Sequence, residues 1–193
     1  MERRSPGPSL NQRWRHLLLS SCLLFTLLPA WAQDANAQAQ ALDRAADTVV
    51  GLRVQAVDDA TSARTLGQVR HGSGVVIGDD GLVLTIGYLV LEAEQVQLML
   101  DDGRMLPARV VAYDLATGFA LVQSLAPLKI TPAALGQSSG LKVDDPLLMA
   151  SGMQGGQQGQ MGLSRLAAKR SFAGYWEYWI DGALFTTPAS TSA

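Results

Sequence analysis

The segment GDDGLVLTIGYLVLEA, residues 78–93, decides how the rest of the sequence is interpreted. Its Asp-Asp-Gly turn at residues 79–81 puts glycine where a tight hairpin needs a positive φ, a conformation that β-branched residues avoid. The run LVLTI that follows is apolar and partly β-branched, as strands are. This strand ends at Gly87 and Tyr88, a small residue before a large aromatic one. A post-strand turn is therefore predicted to present a tyrosine side chain to a cleft.

The runs before and after this segment have the same strand-like texture. A second Asp-Asp-Gly turn at residues 101–103 predicts a second hairpin. Short runs rich in β-branched residues recur about every 8 to 12 residues, a spacing typical of an all-β barrel or sandwich. Between the hairpins, residues 88–94 contain no turn residue, and we expect one or two helical turns there. The strand-like runs are TVVGLRVQAV, SGVVIG, LVLTI, QVQLML, LPARVVAY and GFALVQ.

The texture changes in the last third of the chain. Two prolines interrupt the pattern after residue 126, and a strand is predicted at Leu147–Ser151 after a long loop. Residues 152–162, GMQGGQQGQMG, are flexible by composition and lack the lysine and helix start of a phosphate-binding loop. Residues 163–174 and the aromatic stretch GYWEYWIDGALFTTPA predict further strands.

The first 32 residues have the layout of a secretory signal peptide. A leader with four arginines precedes the apolar run Leu17–Leu28, and Ala30-Trp31-Ala32 puts small residues around a cleavage point. We expect a mature chain that begins at Gln33 and is secreted or periplasmic. The apolar run is shorter than the about 20 residues of a membrane span, so no membrane association is expected after cleavage. Cys22 ends a sequence, LSSC, that resembles a lipoprotein acylation site, an alternative that the apolar residues beyond it disfavour.

Composition limits the classes of function. Cys22 is the only cysteine and lies within the signal, so a mature chain would have neither an internal disulfide nor a cysteine-based zinc site. Loss of four arginines and one glutamate with the signal changes the formal charge from −2 to −5. The lysines and arginines are scattered, whereas nucleic-acid binders carry a basic patch. We therefore expect no nucleic-acid partner, and no cofactor.

Three blocks in order resemble the HtrA (Deg) branch of the trypsin-like serine proteases. They are GSGVVIGDDGLVLTIGYLVLEA, VQLMLDDGRMLPARVVAYDLATGFALVQ and LGQSSGLKVDDPLLMASG, within residues 47–189. The resemblance implies an all-β fold of two trypsin-like barrels, the first complete and the second partial, in a serine endopeptidase family. The expected domains are a signal peptide at 1–32, a linker or short frayed helix at 33–46, an N-terminal barrel at 47–126 and a partial C-terminal barrel at 127–193.

The resemblance also locates the catalytic triad, and all three places depart from the family pattern. The family's Leu-Thr pair corresponds to residues 84–85, and the histidine's place then falls on Tyr88. The aspartate's place falls on Gly118, four residues after Asp114, which matches an earlier, structural aspartate. The nucleophilic serine belongs to a Gly-Asn-Ser-Gly-Gly loop, but after Pro188 the sequence reads ASTSA and stops.

These departures predict a catalytically inactive chain. Tyrosine has an ordinary pKa of about 10, against about 6.5 for histidine, so it is a poor general base at neutral pH. Gly118 has no side chain to orient a base, and loss of one triad member typically costs about four decades in rate. Tyr88 is expected instead to plug the former cleft by packing.

Two other features resemble parts of a hydrolase site. His71 is the only histidine after residue 32 and precedes Gly72-Ser73-Gly74 at a strand entrance, where a histidine without a catalytic role is the plainer interpretation. Residues 136–140, GQSSG, match the G-x-S-x-G pattern around Ser138, but a nucleophile elbow needs a strand before it and a helix after it. No apolar strand leads in, which favours a plain loop.

Acidic pairs and aromatic residues are the remaining candidates. Paired acids recur at residues 79–80, 101–102 and 144–145. Adjacent side chains on a strand point to opposite faces, so solvated turns are favoured over a calcium or acid–base site. A cluster of aromatic residues either lines a peptide groove or packs in a barrel core, and the core is favoured. Its members are Tyr175, Trp176, Tyr178 and Trp179.

Three functional hypotheses remain open on the sequence alone. The chain is a non-catalytic relative that binds unfolded or extended peptides by strand addition at a barrel edge, an active endopeptidase whose site aligns differently, or a truncated gene product without its own function. The change to small polar residues after Pro188 favours the third over the first. Strand edges left open by missing strands would be exposed, which predicts poor solubility or dependence on a partner.

Overall fold

The fold consists of a closed barrel followed by a smaller sheet. The computed structural model describes residues 30–174 and 178–188. Six antiparallel strands close into a barrel in the order β1-β2-β3-β6-β5-β4, and a separate sheet has the order β7-β8-β9. The all-β prediction, with a complete first barrel and a partial second one, is confirmed.

The bounds of the elements follow the predicted runs closely. The barrel strands are β1 Val49–Ala56, β2 Val69–Val76, β3 Leu82–Ile86, β4 Ala93–Met99, β5 Met105–Asp114 and β6 Phe119–Ser124. The second sheet contains β7 Pro146–Ala150, β8 Met161–Gly174 and β9 Tyr178–Thr187. The helices are α1 Ala30–Asp47, α2 Ala63–Leu66 and α3 Gly87–Val90, with a 3₁₀ turn at Ser138–Gly140.

The barrel encloses the hydrophobic core. Alternation along each strand sends every second side chain inward, and β1 is paired on both sides, with β2 and with β4. β-Branched and leucine side chains fill the interior and are almost completely buried. The fully buried ones in the barrel are Val50, Leu52, Val54, Val76, Val83, Leu98 and Val122.

The two predicted hairpin turns are confirmed, and their aspartates explain the geometry. Gly81 and Gly103 have φ values of 84° and 83°, the left-handed region that favours glycine. In each turn an aspartate accepts a hydrogen bond from a backbone N–H two residues on: Leu82 to Asp80 at 3.2 Å and Arg104 to Asp102 at 2.9 Å. The second aspartate of each pair, Asp80 or Asp102, thus stabilises its turn.

The loop after β7 packs closely against β1 of the barrel, and each side of the contact has a glycine. A Cβ added to Gly51 on β1 would overlap the backbone carbonyl of Met153, and one added to Gly152 would overlap the backbone at Val50 and Gly51. The Gly152 N–H donates to Ser73 Oγ at 3.0 Å. Both positions need glycine because the two backbones approach too closely for a side chain.

The chain divides into two compact units, residues 1–37 and 38–193. The described part of the first unit is Ala30–Ala37, the first half of α1. Of the two structures expected for residues 33–46, a linker or a short helix, the chain forms the helix. The signal peptide and Cys22 fall on residues that, apart from 30–32, lie outside the described ranges, so both stay predictions. Within those ranges no helix is long and apolar enough to cross a membrane.

Candidate functional site

The expected histidine and aspartate places lie side by side. β3 pairs with β6, and Ile86 is opposite Phe119 in that pairing. Just beyond the paired residues, the Gly87 N–H donates to the Gly118 carbonyl at 2.6 Å. Tyr88 follows directly in α3. Strand pairing therefore brings together two positions that are thirty residues apart in sequence.

Tyr88 does not fill the cleft in the way the sequence suggested. Its side chain is 42% exposed, whereas Gly87, Leu89 and Val90 of the same helix are buried. A four-residue helix has only one buried side, and here Leu89 and Val90 occupy that side. The tyrosine at this place consequently points outward.

Gly118 ends a tight turn that Asp114 organises. The Asp114 carboxylate accepts hydrogen bonds from the Ala116 N–H at 3.0 Å and from the Thr117 hydroxyl at 2.6 Å. Its backbone carbonyl accepts the Gly118 N–H at 2.8 Å. These bonds, the one from Thr117 above all, lower the pKa of Asp114 because they favour the charged carboxylate. Asp114 is thus committed to the turn, as its match to a structural aspartate implies.

Two tyrosine rings pack against the glycines of this site. A Cβ on Gly118, whose φ is 72°, would lie 2.8 Å from Cγ of Tyr178 on β9. A Cβ on Gly87 would overlap the ring of Tyr113 on β5. The space next to each glycine is therefore occupied by an aromatic ring, one from the barrel and one from the second sheet. A side chain at either position would meet that ring.

Arg70 holds the segment that carries Tyr88, and the sequence analysis missed it. It is 4% exposed, and its guanidinium donates to the carbonyls of Tyr88 at 3.0 Å and Leu91 at 2.7 Å. Other bonds reach the Gly67 carbonyl at 3.1 Å and Ser62 Oγ at 2.6 Å. Burial lowers the pKa of Arg70, and the hydrogen bonds to these oxygens offset part of the cost of burying the charge.

Glu92 completes this network from the other side of α3. Its carboxylate accepts the N–H groups of Ser62 at 2.7 Å and Thr61 at 3.1 Å. Hydrogen bonds from Ser62, followed by the one from Thr61 and by the charge of Arg70, lower the pKa of Glu92. One hydroxyl residue, Ser62, therefore contacts both the buried arginine and the exposed carboxylate. The network fixes α3 to the start of β2.

The alternative catalytic residues are not brought together. His71 is exposed on β2 opposite Arg53, and its ring makes no hydrogen bond with any residue in 30–174 or 178–188. Ser138 lies in an exposed 3₁₀ turn, where its carbonyl accepts Lys169 Nζ at 2.8 Å. The residues that lead directly into this turn, 125–137, form no strand, as the sequence predicted. Residues 136–140 therefore lack the surroundings of a nucleophile elbow.

The structure describes some of the remaining acidic and aromatic candidates. Asp145 accepts the Lys142 N–H at 2.8 Å, a local turn bond like those of the hairpin acids. No group of three or more histidine, cysteine, aspartate or glutamate residues in the described ranges could hold a metal ion. Tyr178 is half-buried and Trp179 is 58% exposed. Tyr175, Trp176 and the serine place after Pro188 lie outside the described residues.

Comparison with known proteins identifies the family. The family described as "trypsin-like peptidase domain" matches residues 72–193. A periplasmic pH-dependent serine endoprotease, DegQ of Escherichia coli, is 36% identical over 75 residues, which cover 38% of this chain and 16% of that protein. A probable periplasmic serine endoprotease, DegP-like, of Brucella suis is 35% identical over 78 residues, 40% of this chain and 15% of that protein.

Solved structures agree with the family match. An HtrA-type protease, AlgW with tripeptide, superposes with a TM-score of 0.58 at 24% identity, covering 68% of this chain and 40% of that one. At this identity the likeness shows the fold, which is the trypsin-like one that the resemblance implied. The chain thus spans less than half the length of the relatives it matches. It belongs to the trypsin-like peptidase family and is similar to that family's HtrA-type proteases.

Proposed function

We propose that this member of the trypsin-like serine protease family has no proteolytic activity of its own. The observation that carries the proposal is the hydrogen bond between Gly87 and Gly118, two residues at the ends of paired strands. The positions that the resemblance assigns to the base and to its orienting acid are Tyr88 and Gly118, and this bond supports taking them as one site. Neither position carries an imidazole or a carboxylate.

The neighbouring groups offer no substitute for the missing pair. A phenol with an ordinary pKa of about 10 is on the order of a thousandth ionised at neutral pH. Asp114, the nearest aspartate in sequence, is occupied by its own turn. His71 is exposed on the barrel strand β2 and has no carboxylate bonded to it within the described ranges. Among the residues that the structure describes, none of these groups would serve as a base for a serine hydroxyl near Gly118.

Two assays test the proposal on the full chain. We expect no cleavage of unfolded casein above background, with an active trypsin-like protease as the positive control, and no covalent adduct with a fluorophosphonate. Casein cleavage that disappears in His71→Ala or Ser138→Ala would show that a different site is active. An adduct mapped to any serine by mass spectrometry would contradict the proposal equally.

We also propose that the chain binds extended peptides at an edge of its second sheet. The barrel is closed, so it offers no edge for strand addition, contrary to the site considered from the sequence. Within the described strands, β7 and β9 each pair with β8 alone. The related HtrA-type structure is described as carrying a tripeptide, and strand addition is a general way to bind extended chains.

Peptide binding is measurable independently of cleavage. Fluorescence anisotropy of a labelled unstructured peptide should show saturable binding, with the peptide recovered intact. Hydrogen exchange should then slow at β7 or β9 and stay unchanged at the barrel strand β3, whose two neighbours are already paired. Binding without protection at either sheet edge would rule out strand addition.

The proposed location is the bacterial periplasm or the exterior of the cell. Relatives named periplasmic and the signal-like layout of residues 1–32 support it. The full sequence expressed in a Gram-negative host should yield an exported product whose N-terminal residue is Gln33. N-terminal sequencing of a periplasmic extract checks this, and an uncleaved chain in the cytoplasm would contradict it.

A further inference from the structure

We infer that Tyr178 joins the second sheet to the barrel at the place of the lost aspartate. Its half-buried ring lies between two glycines, Gly118 on the barrel and Gly174 on β8. A Cβ at Gly118 would lie 2.8 Å from Cγ and 2.9 Å from Cδ1 of this ring. A Cβ at Gly174 would overlap the other end of the ring, near its hydroxyl. Positions 118 and 174 thus both lack a side chain, and the ring of Tyr178 occupies the space between them.

A backbone hydrogen bond reinforces the contact one residue further along. The Trp179 N–H donates to the carbonyl of Ala116 at 3.1 Å. Ala116 belongs to the turn that the Asp114 carboxylate fixes. The start of β9 is therefore attached to the turn by a ring contact and a hydrogen bond in consecutive residues, which we name the Tyr178 joint. The turn is pre-organised, so little further ordering is needed to form the joint.

The barrel side of the joint is braced as well. The Gly118 carbonyl accepts the Gly87 N–H at 2.6 Å, and the Tyr113 ring covers Gly87. The glycine pair is consequently packed by one ring from β5 and one from β9. An aspartate at position 118 would have to displace the ring of Tyr178, because interiors tolerate added atoms poorly. The joint and a catalytic carboxylate are mutually exclusive.

This inference rests on the proposed function only in taking position 118 as the aspartate's place. It adds that the glycine at position 118 cannot simply be replaced by aspartate, since that substitution alone would break the contact between the barrel and the second sheet. The inference concerns packing and the proposed function concerns activity. Stability measurements can therefore refute the inference while the protein is inactive, and they can support it even if casein is cleaved.

A double-mutant cycle tests the joint against a matched glycine. Gly103 also has a positive φ, 83° against 72° for Gly118, but a Cβ there would meet nothing within 4 Å. Gly103→Ala therefore measures backbone strain alone. We expect Gly118→Ala to raise the unfolding equilibrium constant in urea at least tenfold more than Gly103→Ala does. In a Tyr178→Ala background most of that excess should disappear, because the ring atoms are gone and only the Cβ of residue 178, 3.2 Å from the added methyl group, remains.

Equal effects of the two glycine substitutions, or an excess that is undiminished without the Tyr178 ring, would overturn the inference. Tyr178→Phe keeps the atoms that face Gly118 and should preserve the coupling. If Gly118→Ala does not fold, the inference is tested instead by amide hydrogen exchange in the folded Tyr178→Ala protein. The Trp179 amide should then exchange at least tenfold faster, while the Gly152 amide, which bonds Ser73 elsewhere on the barrel, keeps its rate. Unchanged exchange at Trp179 would refute the joint.

Discussion

Replacing Arg70 with methionine should destabilise the barrel by about 3 kcal/mol. The substitution keeps an unbranched side chain of similar reach and removes every donor. The carbonyls of Tyr88 and Leu91 lose their bonds to a charged group, and such bonds contribute about 1.5–3 kcal/mol each. Part of this loss is offset because a buried charge, whose own desolvation is unfavourable, disappears as well. The net effect is a large share of the roughly 5–15 kcal/mol that stabilises a domain.

Urea unfolding followed by far-UV circular dichroism measures this effect, and Arg53→Met is the matched control. Arg53 lies on the neighbouring strand β1, is half-buried, and makes one side-chain hydrogen bond, to Gln97 at 3.1 Å. We expect its replacement to cost less than about 1 kcal/mol. In Arg70→Met the amides of residues 88–91 should also exchange faster. Equal destabilisation by the two variants would refute the assigned role of Arg70.

Two further perturbations follow from single contacts. Gly51→Ala should destabilise the fold by about 1–3 kcal/mol, because its Cβ would overlap the Met153 carbonyl. Urea unfolding measures this effect. The control is Gly136→Ala, which should have little effect because nothing lies within 4 Å of a Cβ at that position. Glu92→Gln should lower stability at neutral pH but not in acid. The pKa of Glu92 is depressed in the folded state below its usual 4.5, so its contribution is present above that pH and is lost as the pH falls through the folded value. The difference between the urea midpoints of the two proteins should therefore shrink as the pH is lowered from neutral, and a constant difference would contradict the role of its bonds to Ser62.

Local patterns explain why the hairpins and the short helix could be predicted. An Asp-Asp-Gly turn specifies its own geometry, because the glycine adopts the positive φ and the aspartate bonds the backbone two residues on. The run after Gly87 has no turn residue, so a helical turn there needed no distant information. Strand runs were recognisable because alternation and β-branching are properties of neighbouring residues.

The contacts around the site depend on residues far apart in the chain. Tyr178 meets Gly118 sixty residues away, and nothing near either residue indicates that a ring will occupy the space beside the glycine. Arg70 did leave a signal. It shares the inward parity of Gly72, Gly74 and Val76 on β2, so an arginine at that position had to be buried and paired. Following the alternation through the charged residue would have found it.

The residues that fix the backbone of this site are different from the residues at the expected catalytic positions. A four-residue helix such as α3 is too short to hold itself in place, so its location depends on the Arg70 guanidinium and on the hydrogen bond from Gly87 to Gly118. The turn before Gly118 is fixed by Asp114 and met by Tyr178. Each of these groups holds the backbone in position. The fold can therefore keep positions 88 and 118 adjacent whichever side chains they carry, so the proposed inactivity depends on the side chains at these positions and not on the fold.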